Sequence, residues 1–255
     1  MNNPLILLSP SKGMSRNREV ASKVTGLCAF PEITAKVVTS IQGLKPEAAK
    51  KLFKVSDALW TEVAAMWGND LKSYTNPKAG LRGLTAYTGE AFKFLNTAEL
   101  SLEGNLNAQQ SLYILSALYG VVSANMHIAP YRLEMQSRLE VTPHRNLYSL
   151  WRPVLTQWVN ALDAPFVIDA CSGEYSKAID WKNIERPYVH VDFKQLKNDQ
   201  IKSVSAFSKQ ARGAFVRWYL ENNIKEMSSL TSFQEMGYRM HTFEDNKLVF
   251  LRDSQ

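Results

Sequence analysis

Residues 166–175, Phe166-Val167-Ile168-Asp169-Ala170-Cys171-Ser172-Gly173-Glu174-Tyr175, pass from a largely apolar run into a polar segment. The apolar run is short, which is typical of a buried strand, and Ser172 is a residue type that commonly caps a helix. Polar side chains that directly follow a strand in an α/β fold often belong to a ligand site. A helix start in which the dipole favours Glu174 explains the same residues equally well.

Strands and helices alternate through the rest of the chain. Predicted strands cover residues 5–8, 84–87, 166–170 and 188–193, with two more inside 240–252 around a turn at 244–246. Predicted helices cover residues 45–65, 107–119 and 147–162, with a last helix from Ser205 or Ser208 to Glu221. This order predicts an α/β fold of mixed type, with a mixed sheet covered by helices. No repeat or linker interrupts it, so we expect one compact domain over residues 1–255.

Composition narrows the class of protein. The 255 residues are 45% hydrophobic, enough for a substantial core, and carry 30 Lys and Arg against 24 Asp and Glu, a net charge of +6. This basic excess is compatible with a polyanionic partner. Cys28 and Cys171 are expected to be reduced thiols, and the four scattered histidines predict neither a metal nor a cofactor. The apolar run at 5–8 is too short to cross a membrane and resembles no signal peptide, so we expect a cytoplasmic protein without a membrane partner.

The run Pro130-Tyr131-Arg132-Leu133-Glu134-Met135 combines a guanidinium, a carboxylate and a phenol. Pro130 disfavours a helical conformation just before it, and alternate side chains of an extended segment share a face. Arg132 and Glu134 would then point one way, and Tyr131, Leu133 and Met135 the other. This pattern suits the wall of a cleft, and it suits a half-buried strand with a structural ion pair equally well.

The last predicted helix is amphipathic. Lys209, Arg212 and Arg217 fall on one arc, and apolar side chains occupy the opposite side. Gly213 lies within the basic arc, where a glycine costs about 1 kcal/mol relative to alanine. A phosphate or another chain segment that approaches the backbone closely would explain it, and so would an ordinary solvated face with a packing glycine.

Seven short motifs occur in a fixed order along the chain. They are Leu8-Ser9-Pro10-Ser11-Lys12, residues 54–59, Tyr87-Thr88-Gly89, residues 115–120 with 130–135, Ser172-Gly173-Glu174-Tyr175, Lys209-Gln210-Ala211-Arg212-Gly213, and Gly237-Tyr238 with residues 248–252. The series resembles the signature of the YaaA family of bacterial peroxide-stress-response proteins over essentially the full length.

The resemblance implies a family-specific α/β fold with a helix-hairpin-helix element and a role in limiting oxidative damage to DNA. The candidate hairpin is residues 115–121, in which Ala117 stands where the family pattern usually has its first glycine. It also implies DNA binding, which we expect to be without sequence specificity and through a basic cleft, where Tyr87, Tyr119 and Tyr131 could stack on exposed bases. The sequence does not determine the oligomeric state, and a monomer is the favoured expectation. The implied DNA-binding or ligand-binding residues are Ser9, Lys12, Tyr87, Tyr119, Gly120, Tyr131, Arg132, Glu134, Arg138, Ser172, Glu174, Tyr175, Lys209, Arg212, Gly213 and Arg217.

A second hypothesis is an enzyme that acts on a small anionic or nucleotide-like substrate. Glu134 and Glu174 would repel DNA, and beside Lys12 and Ser172 they could serve as acid and base. The resemblance favours the DNA-binding protein over the enzyme. Geometry distinguishes the two, because a deep pocket that holds both glutamates favours an enzyme and an open basic trough favours DNA.

Overall fold

The computed structural model describes residues 3–15, 19–20, 26–77 and 79–253. The strands, in chain order, are β1 (Leu5–Leu8), β2 (Glu19–Val20), β3 (Ala79–Arg82), β4 (Leu112–Ser116), β5 (Gly120–Ser123), β6 (His127–Ile128), β7 (Val167–Ala170), β8 (Tyr188–Lys197), β9 (Gln200–Lys202), β10 (Arg239–Glu244) and β11 (Lys247–Asp253). The helices are α1 (Pro31–Gln42), α2 (Pro46–Phe53), α3 (Asp57–Met66), α4 (Lys72–Thr75), α5 (Glu90–Leu95), α6 (Leu102–Ser111), α7 (Leu147–Ala161), α8 (Gly173–Ser176) and α9 (Ser205–Glu221).

The main sheet has eight strands in the order β10-β11-β8-β7-β1-β4-β5, with β9 paired to β8, and β2, β3 and β6 form a small second sheet. The central strand β1 is fully buried and pairs in parallel with β4 on one side and β7 on the other. After β1 the chain next enters this sheet at β4, whereas after β7 it continues to β8 on the opposite side. The connections therefore diverge between β1 and β7, and such a switch point opens a crevice beyond the carboxyl ends of the two strands.

Helices cover both faces of the sheet. Leu7 is in register with Tyr113 and Asp169, and Asp169 is in register with His190, so these side chains share one face. Helix α7 packs on that face, where the rings of Tyr113 and Trp158 lie 5.1 Å apart. The opposite face carries Phe193 against Phe215 of α9, at 6.0 Å. The predicted mixed α/β fold with helical cover is confirmed.

Several predicted elements match the structure. The strand predicted at 5–8 coincides with β1, the run at 166–170 contains β7, and the run at 188–193 is the first part of β8. The two strands expected within 240–252 are β10 and β11, joined at Asp245 and Asn246, which both have positive φ. The helices expected at 147–162 and from Ser205 to Glu221 are α7 and α9.

The single helix predicted over residues 45–65 is wrong. Helix α2 ends at Phe53 because Lys54 adopts the left-handed conformation, with φ 52° and ψ 49°, and α3 begins only at Asp57. The apolar spacing continues across this break because both helices bury side chains in the same core, Phe53 from α2 and Val63 from α3.

Two further predictions fail in the segments that lead to β4 and β5. Residues 84–87 are not a strand, because Gly83–Thr85 form a short 3-10 helix. The helix predicted at 107–119 ends at Ser111, and from Leu112 the chain is a strand in parallel register with β1. Leucines at 112, 115 and 118 satisfy a helical spacing, but a continuously buried apolar run also forms a strand in the middle of a parallel sheet.

The helix-hairpin-helix element expected at residues 115–121 is replaced by a β-hairpin. Strands β4 and β5 are antiparallel and pair Ser116 with Gly120, so three residues form the turn. The Ser116 hydroxyl accepts hydrogen bonds from the backbone N–H groups of Leu118 and Tyr119, at 3.2 and 3.0 Å. Gly120 follows with φ +71°, a conformation that three-residue hairpins favour for glycine.

Candidate functional site

A cavity of about 370 Å³ lies at the switch point, beyond the carboxyl ends of β1 and β7. The segments that follow the two strands are joined there, because the Ser9 hydroxyl accepts a hydrogen bond from the backbone N–H of Ser172 at 2.8 Å. The two serine hydroxyls are 3.2 Å apart. Both strands end in the buried core, so the sheet holds the floor of the cavity rigidly.

The structure brings many of the predicted site residues together around this cavity. Those that line it are Ser9, Lys12, Tyr131, Arg132, Glu134, Ser172, Glu174, Tyr175, Lys209 and Arg212. They come from four separate segments of the chain. Three of these follow β1, β6 and β7, and the fourth is the first part of α9. Their roles in binding stay predictions, but their convergence is a property of the fold.

Helix α9 delivers two cations to the cavity. It runs antiparallel to the strands of the sheet, since Ser208 donates to the Phe193 carbonyl at one end and the Tyr219 hydroxyl donates to the Pro4 carbonyl at the other. Lys209 and Arg212 lie in its first two turns, beside the carboxyl ends of the strands. The Nε atom of Arg212 is buried and has no hydrogen-bond partner among the described residues. Leaving a buried donor unpaired costs free energy, as expected where a ligand supplies the acceptor.

Glu134 and Glu174 line the same cavity as these cations. Glu134 forms an ion pair with Lys12, with Oε1 2.9 Å from Nζ. Glu174 accepts a hydrogen bond from the backbone N–H of Gln136 at 3.2 Å. Burial raises the pKa of Glu174, and the nearby negative charge of Glu134 adds to the effect. The site therefore holds Glu134 and Glu174 in different environments, one ion-paired and one inclined to keep its proton.

The segment at 130–135 follows the predicted alternation. Tyr131, Leu133 and Met135 are buried, whereas Arg132 and Glu134 are partly exposed and line the cavity. The segment forms no strand of either sheet, so its extended backbone serves as a wall of the cavity. The sequence left open whether residues 130–135 form the wall of a cleft or a half-buried strand. The observed position is that of a cleft wall.

A buried carboxylate that the sequence did not single out supports the loop after β7. Asp169 accepts hydrogen bonds from the Cys171 N–H at 3.0 Å and the Ser176 hydroxyl at 2.6 Å. Its Oδ2 also lies 2.7 Å from Nδ1 of His190 on β8. These contacts fix residues 171–176, which carry Ser172 and Glu174, and only the register of β7 with β8 reveals the partnership.

The tyrosines predicted to stack on exposed bases are buried. The hydroxyls of Tyr87 and Tyr131 are 3.1 Å apart, and the Tyr131 hydroxyl is 2.8 Å from that of Ser116. Burial raises the pKa of both Tyr87 and Tyr119 well above the ordinary value. Tyr87 and Tyr119 do not line the cavity, so stacking of DNA bases on them is excluded in this conformation, whereas Tyr131 and Tyr175 contribute to its walls.

Four other predicted site residues lie outside the cavity. Gly120 is buried, and a side chain there would meet the Trp151 ring at 2.5 Å. A Cβ on Gly213 would lie 1.9 Å from the Ala91 carbonyl oxygen, so this glycine permits α9 to pack on α5 instead of admitting a phosphate. Arg217 donates to the carbonyls of Asn96 and Glu99, at 3.0 and 3.2 Å, and Arg138 is exposed at another position.

Some lining residues were missed by the sequence. Gly89, Glu90, Ala91 and Phe92, at the start of α5, form one wall, and the Gly89 N–H donates to the Ser11 hydroxyl at 3.0 Å. Gly89 ends the motif Tyr87-Thr88-Gly89, and the other three residues directly follow it. Their position beside this motif was the sequence signal that could have identified them. The Glu90 carboxylate accepts hydrogen bonds from Gln210 and Lys93, and these bonds lower its pKa.

A second cavity of about 530 Å³ adjoins the first. The two share Lys12, Gly13 and Arg132, and the second is closed by Leu59, Glu62 and Met66 of α3. Together they form an elongated cleft with Lys12 and Arg132 between its two halves.

Other features of the described residues carry no site. Within the part of the chain that the structure describes, no three histidine, cysteine or acidic side chains converge as metal ligands would. Cys28 and Cys171 are free thiols, and burial raises the pKa of Cys171 well above its ordinary value. No helix in the described ranges is long and apolar enough to cross a bilayer.

Comparison with known proteins gives a consistent result. A family model described as "Peroxide stress protein YaaA" matches residues 5–243. A UPF0246 protein of Shewanella pealeana is 33% identical over 98% of this chain and 100% of its own length. A UPF0246 protein of Shewanella sediminis is 34% identical with the same coverage, and UPF0246 protein FP0718 of Flavobacterium psychrophilum is 28% identical over 97% of this chain and 99% of its own.

Proposed function

The chain belongs to the YaaA family of peroxide stress proteins, and we propose that it binds DNA without sequence specificity through the cleft at the carboxyl ends of β1 and β7. Occupancy of the DNA would protect it from oxidative damage. The observation that carries the proposal is the Arg212 side chain, which lines this cavity and whose buried Nε lacks a partner among the described residues.

The charges of the cleft support a phosphate ligand. Arg132, Lys209 and Arg212 line the cavity, and the described residues provide no ion pair within 4.0 Å for any of them. A guanidinium matches the oxygens of a phosphate with two parallel hydrogen bonds, which gives it an advantage over a point charge. These three cations can contact phosphates but do not form a set of hydrogen-bonding groups that would recognise particular bases. That combination suits binding to the sugar-phosphate backbone of DNA, which is independent of sequence.

The first cavity holds both Glu134 and Glu174, which by itself favours an enzyme, but it adjoins a second cavity, and that extension supports a polymer. The two adjoining cavities share Lys12 and Arg132, so a ligand that fills both would pass between these two cations. Successive phosphates of a strand could contact Arg212 in one half and Arg132 at the junction. A duplex is far wider than either cavity, so a single strand or a distorted part of a duplex is the form that would enter.

Fluorescence anisotropy of a labelled oligonucleotide, titrated at several salt concentrations, tests the proposal. We expect affinity that falls steeply with salt, because each neutralised phosphate releases counterions. The double variant Lys209→Ala, Arg212→Ala is expected to lose at least tenfold in affinity and to show a shallower salt slope. Its control, Lys182→Ala with Lys247→Ala, removes the same charge at two residues that line neither cavity and is expected to bind as the wild type does. Absence of binding at low salt would refute the proposal.

A second candidate function is catalysis on a small anionic substrate. The observation that favours it is the presence of both Glu134 and Glu174 in the cavity, one paired with Lys12 and the other with a raised pKa. Carboxyl groups in two such environments can divide the roles of base and acid between them. Turnover of a nucleotide or other phosphorylated compound, abolished in Glu174→Gln while binding persists, would establish it.

A further inference from the structure

We propose that the cavity at the ends of β1 and β7 holds one nucleotide, with its phosphate at Arg212, Lys209, Ser9 and Ser172, and with a base that carries an exocyclic amino group at Glu134 and Glu174. The inference rests on the proposed function, because it names the part of the DNA that enters the protein. The same chemistry would accept a free nucleotide. Titration with mononucleotides and with DNA distinguishes a nucleotide within DNA from a free one.

The phosphate end is defined by the contacts of Arg212. The positive charge of Arg212 partly offsets the raised pKa of the Cys171 thiol, so the guanidinium lies near the end of β7. The Ser9 and Ser172 hydroxyls are 3.2 Å apart at the same place, and Lys209 lies one turn before Arg212 on α9. A buried unpaired Nε, an amine and two hydroxyls provide donors on several sides of a tetrahedral oxyanion.

A second polar cluster of the cavity is formed by carboxyl groups. Glu174 is influenced by the charges of both Glu134 and Lys12, so these three side chains form one cluster. Their oxygens would repel a phosphate but accept hydrogen bonds from an exocyclic amino group, as acidic side chains do with cytosine. Adenine, cytosine and guanine carry such a group. Thymine has no exocyclic amino group and offers a single N–H between two carbonyl oxygens, so the cluster is expected to bind it more weakly.

The size and the walls fit one nucleotide. The volume of about 370 Å³ is within the range of pockets that bind small ligands and is far too small for a base pair with its backbone. Phe92, Tyr131 and Tyr175 also line the cavity and contribute apolar ring surface to its walls. A nucleotide of DNA would have to leave the base stack to reach this site, which is easiest at mismatches, damaged bases and single strands.

Isothermal titration calorimetry of the full chain with dAMP, dCMP, dGMP, dTMP and deoxyadenosine tests the site. We expect the first three to bind at least tenfold more tightly than dTMP. Arg212→Met should weaken dAMP at least tenfold and leave deoxyadenosine unchanged, and Glu174→Ala should reduce the preference over dTMP. Lys182→Met, at a residue that does not line the cavity, should change neither the affinity for dAMP nor the preference over dTMP. If circular dichroism shows that Arg212→Met does not fold, Lys209→Met takes its place. Equal affinity for dTMP, or no effect of Arg212→Met or Lys209→Met on dAMP, would overturn the inference.

A second measurement separates the inference from the proposed function. An oligonucleotide with 2-aminopurine opposite a mismatch is expected to gain fluorescence on binding, as the base leaves the stack. If DNA binds but 2-aminopurine does not respond and no mononucleotide binds, the inference fails and DNA binding stands. If mononucleotides bind in the expected order and DNA does not, the proposed function fails and the nucleotide site stands for free nucleotides.

Discussion

Glu174 is a partly buried carboxyl group in the wall of the cavity. Burial penalises its charged form and Glu134 repels it, so its pKa is raised. The folded state therefore binds the proton more tightly than the unfolded state does. The stabilising effect of that proton is fully present at low pH and is lost as the pH rises through the raised pKa.

The variant Glu174→Gln tests this linkage. At neutral pH the variant is expected to unfold at higher denaturant concentration than the wild type, because its neutral amide avoids the burial penalty and still accepts from Gln136. The difference should shrink as the pH falls towards 4.5, the ordinary pKa of a glutamate side chain. Urea unfolding over a pH series measures it, with the exposed Glu140→Gln as control. A gap that is independent of pH, or a less stable variant at neutral pH, would contradict the assignment.

At the scale of elements, the contact between α5 and α9 determines where Lys209 and Arg212 lie. Gly213 has no room for a side chain, because a Cβ would lie 1.9 Å from the Ala91 carbonyl oxygen. Glycine within a helix is otherwise unfavourable, so its presence reflects the close approach of the two helices.

Gly213→Ala is expected to lower the free energy of unfolding by about 2 kcal/mol, because overpacking forces the helices apart. In a solvated helix the same change would raise it by about 1 kcal/mol, so even the sign is informative. Gly173→Ala is the control, since nothing lies within 4 Å of a Cβ there. Denaturant unfolding of both variants decides the matter, and a stabilised Gly213→Ala would refute the packing account.

The break between α2 and α3 yields a second prediction at this scale. Lys54 adopts the left-handed conformation at the end of α2, which costs a non-glycine residue about 1 kcal/mol. We expect Lys54→Gly to stabilise the protein by about 0.5–1 kcal/mol, because glycine adopts this conformation freely. The same substitution three residues earlier, Lys51→Gly, is expected to destabilise it by a similar amount because Lys51 is helical. Equal effects of the two substitutions would show that Lys54 is not a helix terminus in solution.

The sequence predicted elements where periodicity and burial agreed. Apolar runs identified β1 and β7, and helical spacing identified α7 and α9. It failed at 107–119, where leucines spaced three apart belong to a buried strand and not to a helix. That distinction depends on β1, which lies more than a hundred residues earlier in the chain and pairs with β4, and local patterns do not encode it.

For the molecule as a whole, the topology creates the candidate site. Short motifs after β1, β6 and β7 and at the start of α9 identified many lining residues, because polar side chains beside strand ends are recognisable in sequence. The sequence did not identify the wall formed by α5 or the supporting pair Asp169 and His190. The first depends on helix packing and the second on strand register. Gly213 and Arg217 were assigned to the cleft from their helical arc, but their side of α9 packs on α5 and on Glu99.

Hydrogen–deuterium exchange of the full chain, with and without saturating oligonucleotide, tests most directly whether this crevice is the site where DNA binds. We predict slower exchange in the segments that surround it, residues 9–13, 131–136, 172–176 and 205–212, and little change at β10 and α1. Unchanged exchange in those four segments, with protection confined to other parts of the chain, would contradict the account.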